Sequence, residues 1–337
     1  MENQEQEHKR RARYKGTHPK NFKEKYKELQ PEKYADTVAK IIQGGGTPAG
    51  MHISICVKEI LEFLQIKPGQ KGLDVTLGYG GHTLEMMKCL QGEGHMYAID
   101  VDPIELVKTR ERLARLGYGS EILTITQMNF ANIDKVAATA GKFNFVLADL
   151  GLSSMQIDNP DRGFSFKREG PLDLRLNPEK GESAAQRLKH IRKEELEGML
   201  IENSDEPYAK QISTAIISKI KKGVDISTTT QLKEIISDAL VFIPAAERQE
   251  AIKKSCQRTF QALRIDVNSE FEVLYEFLEK LPNVLEKGGR VAVLTFHSGE
   301  DRLVKKSFKA LFKEGIYSEI ADEVIRPSAE ECYNNSR

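Results

Sequence analysis

The sequence predicts an α/β protein built on a parallel sheet, with a mostly helical insertion. Three observations lead to this prediction. Short apolar runs alternate with helical segments in the first half of the chain, the first run ends in a glycine-rich turn, and about 140 residues separate the fourth run from the fifth. Alternation of this kind indicates strands joined by helical crossovers. A crossover needs little more than one helix, so the long gap indicates inserted chain.

Each strand candidate is a short apolar run, and helical patterns separate the first four. Pro103 suits a first helical turn, because its missing N–H would be unpaired there in any case. This order predicts a doubly wound sheet. The strand candidates are residues 72–77, 95–99, 122–126, 143–148 and 290–296, and the helical segments between them are residues 83–90, 103–116 and 131–139.

The inserted chain reads as mostly helical, with candidate helices at residues 193–201, 208–221 and 229–241. A separate helix leads into the fifth strand, with Leu274 and Leu278 on one face, and Pro282 is expected to end it. We therefore expect three parts. They are a basic N-terminal extension (1–49), a sheet domain (50–153 and 257–337) and a helical substrate domain (154–256).

The charge of the chain is balanced, with 50 basic and 50 acidic residues among 337. No overall charge steers it towards nucleic acid or membrane, so such a partner would need a local patch. Residues 1–27 hold nine basic and four acidic residues. This segment is either a solvated extension or an arm that lies on phosphates.

The sequence predicts a cytoplasmic protein without a membrane partner. No apolar run reaches the roughly 18 residues of a membrane span, and the N-terminal residues lack the apolar stretch of a signal peptide. The four cysteines lie far apart and form neither a CxxC pair nor a His/Cys cluster. We therefore expect free thiols, no metal site and no disulfide-linked partner.

The glycine-rich turn after the first strand predicts a cofactor site. Gly80 and Gly81 let the backbone turn tightly and approach a ligand closely, although a purely structural turn is the alternative. The dinucleotide pattern would require glycine where Thr83 stands, which disfavours a nicotinamide oxidoreductase. Asp100 ends the second strand, where a carboxylate accepts both hydroxyls of a ribose. A glycine turn with His82 beside it suits S-adenosylmethionine (SAM), which has no pyrophosphate.

Two further candidates follow the third and fourth strands. The carboxyl ends of parallel strands form the edge at which open α/β sheets bind ligands. Phe130 lies at this edge and is expected either to stack on an adenine or to belong to the core. Asp149 ends the fourth strand at the same edge.

Longer motifs resemble a known family. They are LDVTLGYGGH at residues 73–82, DLGLSSMQID at 149–158, RGFSF at 162–166, GPLDLR at 170–175, RTFQALRI at 258–265 with Val267 and Asn268, and FHSGEDR at 296–302. On these motifs the chain is similar to the RsmH (MraW) ribosomal RNA small-subunit methyltransferases, over about residues 52–335.

The resemblance implies a SAM-dependent enzyme that methylates the exocyclic N4 of a cytidine in the decoding region of 16S rRNA, as naked rRNA or as the 30S subunit. It also implies a class I methyltransferase fold, with a Rossmann-like sheet and a helical substrate domain inserted after the fourth strand. A homodimer is possible. Carried onto matching positions, the cofactor contacts are Gly80, Gly81, His82, Asp100, Phe130, Asp149 and Gln156.

The catalytic candidates must help a poor nucleophile. The lone pair of a cytosine amine is delocalised, so acceptors for its N–H groups should favour attack and take up the released proton. Asp149 suits either this role or cofactor binding, and we favour cofactor binding. His297 and Ser153 are the other candidates, with a structural histidine and a helix cap as the alternatives.

Aromatic and basic side chains of the motifs are candidates for contacts with RNA, since a base must leave its stack to be methylated. The aromatic side chains could equally belong to the core of the helical substrate domain, and Asp173 could form an ion pair with Arg175. The candidates are Arg162, Phe164, Phe166, Asp173, Arg258 and Arg264.

Three departures from the family pattern bear on its function. Family members usually begin near the position of His52, the family's leucine is replaced by Gly299, and the chain stops at Arg337 where the family continues in a basic tail. We expect Gly299 to loosen the start of the following helix. The departures leave two alternatives: a paralogous methyltransferase with another RNA target, and a SAM- or RNA-binding protein without turnover.

Overall fold

A computed structural model describes residues 54–334, and the basic N-terminal extension lies outside them. Five parallel strands form one sheet in the order β3-β2-β1-β4-β5. The strands are β1 (Lys71–Asp74), β2 (His95–Asp100), β3 (Leu123–Gln127), β4 (Phe143–Asp149) and β5 (Leu285–Leu294). The strand order reverses between β1 and β4, and this reversal marks the ligand crevice of open α/β sheets.

Helices cover both faces of the sheet. They are α1 (Val57–Leu64), α2 (Gly81–Leu90), α3 (Pro103–Arg115), α4 (Ile133–Ala140), α11 (Glu270–Val284) and α12 (Ser298–Lys313). Val146 and Ala148 of β4 point to the core under α4 and α11, whereas Phe145 and Leu147 point to the core under α1 and α2. This alternation is what a strand buried on both faces requires.

The predicted insertion is helical, with a hydrophobic core of its own drawn from residues 164–263. Its helices are α5 (Ser154–Asp158), α6 (Ala184–His190), α7 (Lys193–Ser204), α8 (Ala209–Lys221), α9 (Thr229–Ala239) and α10 (Ala245–Asn268), and the last helix of the chain is α13 (Ala329–Asn334). Helix α10 continues through residue 256, where we placed a domain boundary. The boundaries themselves remain a prediction.

The doubly wound α/β fold is confirmed. The limits of its first and last strands differ from those that the sequence predicted. β1 stops at Asp74 instead of residue 77, although the Val75 and Leu77 N–H groups still donate to Leu147 and Ile99 carbonyls. β5 spans residues 285–294 and not 290–296. Its early start includes an irregularity opposite residues 143–145, where Gly288 has a φ of +76°.

The prediction that Pro282 ends the helix before β5 was wrong. Pro282 lies inside α11, which continues to Val284. A proline removes one backbone hydrogen bond, but it does not stop a helix whose buried face goes on through Leu281 and Val284. None of the helices among residues 54–334 is long and apolar enough to cross a membrane.

Candidate cofactor and catalytic site

The turn between β1 and α2 is held close to α3. Gly80 caps α2 with a φ of +74°, and a Cβ there would lie 2.9 Å from the Thr109 methyl carbon. The Thr109 hydroxyl donates to the Gly78 carbonyl at 2.6 Å. A side chain at residue 80 would therefore meet both backbone strain and a steric clash. A glycine at residue 80 is therefore needed for the packing of the turn against α3, as the structural alternative requires, and a close approach to a ligand stays a prediction.

Asp100 ends β2 and faces this turn. Its Oδ2 accepts the Gly78 N–H at 2.7 Å and its Oδ1 accepts the Asp102 N–H at 2.8 Å. Each oxygen keeps a second lone pair, which is what a pair of ribose hydroxyls would need. Burial raises the pKa of Asp100 to about 6, against the lowering effect of these two N–H groups.

Asp149 and His82 meet across the point where the strand order reverses. His82 is buried, its Nε2 lies 2.9 Å from the Ile55 carbonyl oxygen, and its Nδ1 lies 3.4 Å from Asp149 Oδ2. A carbonyl oxygen only accepts, so Nε2 carries a proton. The Asp149 N–H donates to the Thr76 hydroxyl at 2.7 Å. The backbone of Asp149 is thus fixed by Thr76, and one oxygen of its carboxylate lies beside His82.

The other oxygen of this carboxylate, Asp149 Oδ1, is buried and has no hydrogen-bond partner among the described residues. A buried acceptor of this kind is costly unless something donates to it. Burial raises the pKa of Asp149 to about 6; His82 opposes this rise, and the nearby Asp74 and Glu300 add to it. The site therefore has an acceptor ready for a ligand N–H.

The two remaining cofactor candidates have partners within the protein. Phe130 is partly buried and packs edge-to-face on Phe277, with ring centroids 5.3 Å apart. Gln156 is buried, accepts the Ser153 N–H at 2.9 Å, and donates to Asp102 Oδ2 at 2.8 Å. Their predicted contacts with the cofactor remain predictions. Gln156 already ties the turn after β4 to the turn after β2.

Ser153 takes the role of a helix cap. Its hydroxyl accepts the Gln156 N–H at 3.2 Å, in a reciprocal capping box at the start of α5. The alternative reading of this serine is therefore the one that the structure favours. Its oxygen accepts a backbone N–H while its own proton remains available, so the predicted catalytic role of Ser153 stays a prediction.

Arg162 is placed differently from our prediction. Its side chain is 5% exposed, and Nη1 lies 2.7 Å from Asp102 Oδ2, itself fully buried. Its Nη2 donates to the Leu176 carbonyl at 2.8 Å. The guanidinium joins the insertion to the turn beside Asp100, and its burial there disfavours the predicted phosphate contact.

Arg264 and Asp173 are likewise engaged within the protein. Arg264 forms a bidentate pair with Glu270, at 2.7 and 2.8 Å, and its side chain is 13% exposed. Asp173 forms a bidentate pair with Arg175, which was the alternative reading. Contacts of these two side chains with RNA are therefore not supported. Arg258 is partly exposed and has no ion pair among residues 54–334, so it stays a candidate.

The two phenylalanines predicted to stack on a base belong to the insertion's core. Phe164 is 8% exposed and lies in the hydrophobic cluster of the inserted helices. Phe166 is partly buried and packs edge-to-face on Phe260, with centroids 5.6 Å apart. The burial of Phe164 disfavours stacking on a base, whereas Phe166 is partly exposed and its contact with a base stays a prediction.

His297 begins α12 as its cap. Its Nδ1 accepts the Glu300 N–H at 3.4 Å, and its Nε2 lies 3.2 Å from Glu300 Oε1. Glu300 Oε2 in turn accepts the Phe296 N–H at 2.8 Å. Nε2 lies beside this carboxylate but makes no hydrogen bond with good geometry among the described residues. The arrangement fits the structural reading of His297 and fixes the loop after β5.

Gly299 does not loosen the start of α12, contrary to our expectation. The residue is buried, and a Cβ there would lie 2.6 Å from the Phe271 ring. The ring of Phe271 thus fills the space beside residue 299, and it also lies 5.8 Å from the His297 ring. The ring occupies the space that a side chain at residue 299 would need.

Sequence reasoning missed several residues that hold the site. Asp74 is buried and accepts the Thr83 hydroxyl at 2.6 Å and the Thr76 N–H at 3.0 Å. Thr83, the residue that departs from the dinucleotide pattern, therefore supports the turn. Asp102 caps α3 and receives Arg162; the Asp-Pro step signalled the cap but not the buried pair.

These residues fit SAM on two structural observations. Asp149 Oδ1 is a buried acceptor without a donor among residues 54–334, and Asp100 lies beside the turn with a lone pair free on each oxygen. This edge of the sheet therefore offers acceptors both for ribose hydroxyls and for an N–H group.

Known proteins resemble the chain over most or all of its length. Residues 49–337 match the MraW methylase family. The "Ribosomal RNA small subunit methyltransferase H 1" of Lachnoclostridium phytofermentans is 76% identical over 336 residues, which cover 100% of this chain and 92% of that protein. The "Ribosomal RNA small subunit methyltransferase H 2" of Alkaliphilus metalliredigens is 72% identical over 337 residues, covering 100% and 97%.

A more distant relative is the "Ribosomal RNA small subunit methyltransferase H" of Pseudoalteromonas atlantica, 40% identical over 260 residues, which cover 76% of this chain and 79% of that protein. The two full-length matches include the N-terminal extension, so relatives share it. The family match, the glycine turn and the two aspartates agree with one another. The chain therefore belongs to the MraW methylase family and is a SAM-dependent methyltransferase of class I fold.

Proposed function

We propose that the protein transfers a methyl group from SAM to the exocyclic N4 of a cytidine in the decoding region of 16S rRNA. The observation that carries the proposal is the buried, unpartnered Oδ1 of Asp149 beside the glycine turn. The names of the relatives, which are small-subunit rRNA methyltransferases, support the choice of RNA. Such a substrate agrees with a cytoplasmic protein.

SAM supplies a methyl group on a sulfonium sulfur, and the protein must align and hold the amine that receives it. Among the catalytic candidates, Ser153 caps α5 and His297 caps α12. Asp149 keeps a free acceptor, so we assign to its Oδ1 an N–H of the ligand in the site. An ionised Asp149 would orient the amine and offer a base for the proton that it loses. Its cofactor role remains part of the proposal.

His82 prepares Asp149 for this role. Its Nε2 proton is directed to the Ile55 carbonyl, so its Nδ1 faces Asp149 Oδ2. With its proton on Nε2, a neutral imidazole can only accept at Nδ1, so His82 pairs with Asp149 Oδ2 where either the carboxyl or the second ring nitrogen carries a proton. The other carboxylate oxygen is left for the ligand. The raised pKa of Asp149 means that this base becomes available as the pH rises through about 6.

Contacts with RNA phosphates are assigned to α12, because Arg162 and Arg264 are engaged elsewhere. Four exposed basic residues lie at spacings of four, three and four on this helix, which places them on one face. None of them forms an ion pair among the described residues. We call them the α12 basic stripe: Arg302, Lys306, Lys309 and Lys313.

The stripe begins next to the loop after β5, at the catalytic edge of the sheet. Its ends are eleven residues apart, which corresponds to about 16 Å along the helix. That length would span two or three successive phosphates of an extended strand. The basic N-terminal arm, outside the described residues, stays a second candidate for RNA binding, and a homodimer stays a prediction.

A paralogous enzyme with another RNA target is the second candidate. The observation that favours it is the loop after β5, where Gly299 departs from the family pattern and the Phe271 ring fills the space beside it. Such a change lies near the substrate edge and leaves the cofactor turn intact.

One experiment separates these functions. The purified protein would be incubated with methyl-labelled SAM and either 30S subunits or naked 16S rRNA from a strain that lacks the enzyme. Mass spectrometry of the nucleosides should give N4-methylcytidine, within the decoding region. N4-methylcytidine at another position would favour the second candidate, and no transfer to either RNA would refute turnover on this substrate. An Asp149→Ala variant that transfers at the full rate would remove Asp149 from the mechanism.

A further inference from the structure

An exposed aromatic ring stands at the catalytic edge without a role in the fold. The Phe296 side chain follows β5, and the residue is 55% exposed. Single exposed apolar side chains are common on protein surfaces, so it is the location of this ring at the catalytic edge, and not its exposure alone, that matters. The other exposed aromatic rings among the described residues, such as Phe312, lie on helices or in the insertion. The position of Phe296 therefore favours a role in ligand binding.

The strand register places this ring next to Asp149. Asp149 pairs with Leu294 across β4 and β5, and the Leu150 N–H donates to the Leu294 carbonyl. Two residues beyond each strand, Gly151 and Phe296 lie side by side. A Cβ at Gly151 would lie 3.4 Å from Phe296 Cδ2, so the ring lies against the backbone of the turn that follows Asp149.

The backbone beneath the ring is fixed before any ligand arrives. The Phe296 N–H donates to Oε2 of Glu300, which is 4% exposed, and His297 caps α12 at the next position. A ring on an anchored loop can receive a planar group at little entropic cost. An exposed ring on an anchored backbone is typical of a stacking surface.

The turn after β4 offers no aromatic of its own. The residues that follow Asp149 are leucine, glycine, leucine and serine, with Leu152 three positions on. Leu152 is partly buried against the hydrophobic core of the insertion. Phe164 and Phe166 are also taken up by that core. A base that reaches Asp149 therefore finds its aromatic face on the neighbouring strand's loop.

We propose that Phe296 is the residue on which the target pyrimidine stacks when it leaves the RNA and presents its amine to Asp149. The inference rests on the proposed function and adds to it a base-stacking residue from β5. Extruded bases are commonly received by aromatic faces, and stacking is sequence-tolerant because every base has a π-face. Phe296 thus holds the base, whereas Asp149 engages its amine.

The test compares Phe296→Leu, which keeps an apolar side chain but loses the ring, with Phe296→Tyr, which keeps the ring. Methyl transfer to unmethylated 30S subunits would be measured as kcat and KM. Loss of stacking should lower kcat/KM by about 5- to 150-fold in Phe296→Leu. The loss should fall mainly on kcat, since the phosphate contacts that bind the subunit are unchanged. Phe296→Tyr should retain activity to within about twofold, because the π-face remains.

Two controls separate stacking from a structural role. SAM affinity by calorimetry and the thermal midpoint should be unchanged in Phe296→Leu. Phe312→Leu removes another exposed ring, 44% exposed and further along α12, and should leave transfer unchanged.

Wild-type kcat/KM in Phe296→Leu, an equal loss in Phe296→Tyr, or a matching loss of SAM affinity would each overturn the inference. These outcomes presuppose an active wild-type enzyme. An inactive wild type on 30S subunits and 16S rRNA would instead refute the proposed function.

Discussion

Replacing Arg162 by methionine should destabilise the protein strongly, because the guanidinium balances a fully buried carboxylate. The side chains of Asp102 and Arg162 are 0% and 5% exposed, and their charged atoms lie 2.7 Å apart. Removing one partner of a buried pair leaves an uncompensated charge, which costs about 3–5 kcal/mol. The variant also loses the hydrogen bond to Leu176. We therefore expect a fall in the free energy of unfolding of about 3–5 kcal/mol.

Urea unfolding at pH 7 measures this fall, and Arg258→Met is the matched control. Arg258 is partly exposed and has no ion pair among the described residues, so its loss should change stability by less than about 0.5 kcal/mol. Adding Asp102→Asn to the Arg162→Met variant should recover part of the loss, since the unpaired charge is then gone and asparagine still caps α3.

The opposite pattern would refute the reasoning. A change below about 1 kcal/mol in Arg162→Met, together with a flatter salt dependence of RNA binding, would mean that the arginine contacts phosphate after all. Equal stability losses in Arg162→Met and Arg258→Met would show that burial does not decide the effect.

Three further predictions concern the site and the RNA. The folded protein keeps Asp149 protonated to about pH 6 and the unfolded chain only to about pH 4, so its ionisation costs stability above this window. Asp149→Asn should thus raise the free energy of unfolding by about 2–3 kcal/mol at pH 7 and leave it unchanged at pH 4. Urea unfolding at each pH measures this difference, and an equal change at both pH values would contradict it. Gly80→Ala should raise the calorimetric Kd for SAM more than about tenfold, through strain and the clash with α3. The control is Gly92→Ala, because Gly92 has a φ of +80° but open space around it. This variant should leave the Kd for SAM unchanged. An equal rise in Kd in both variants would show that the clash with α3 is not the cause. Replacing Lys306 and Lys309 by glutamine should lower the slope of log affinity for RNA against log salt by about two, and an unchanged slope would remove them from the interface.

The fold could be predicted from the sequence because its signals are local. Alternating apolar runs and helical patterns specify a parallel sheet, and the length of chain between the fourth and fifth strands revealed the insertion. Strand ends were less certain. The N–H groups of Val75 and Leu77 donate to neighbouring strands although β1 ends at Asp74. The early part of β5 is irregular around Gly288.

The positions of Asp100 and Asp149 could also be predicted, since parallel strands bring their carboxyl ends to one edge. The partners of the basic residues could not. Arg162 is followed by an aromatic and basic segment that suits RNA, and its carboxylate partner lies 60 residues earlier in the chain. Gly299 was visible in sequence as a departure, but the Phe271 ring beside it was not, because that contact depends on how two helices pack.

The most direct test of the account is a map of N4-methylation in 16S rRNA from cells that lack the gene for this chain. The account predicts that one cytidine in the decoding region loses its N4-methyl group. The wild-type chain should restore it, and the Asp149→Ala variant should not. N4-methylation that is unchanged at every position of the 16S rRNA would contradict the account.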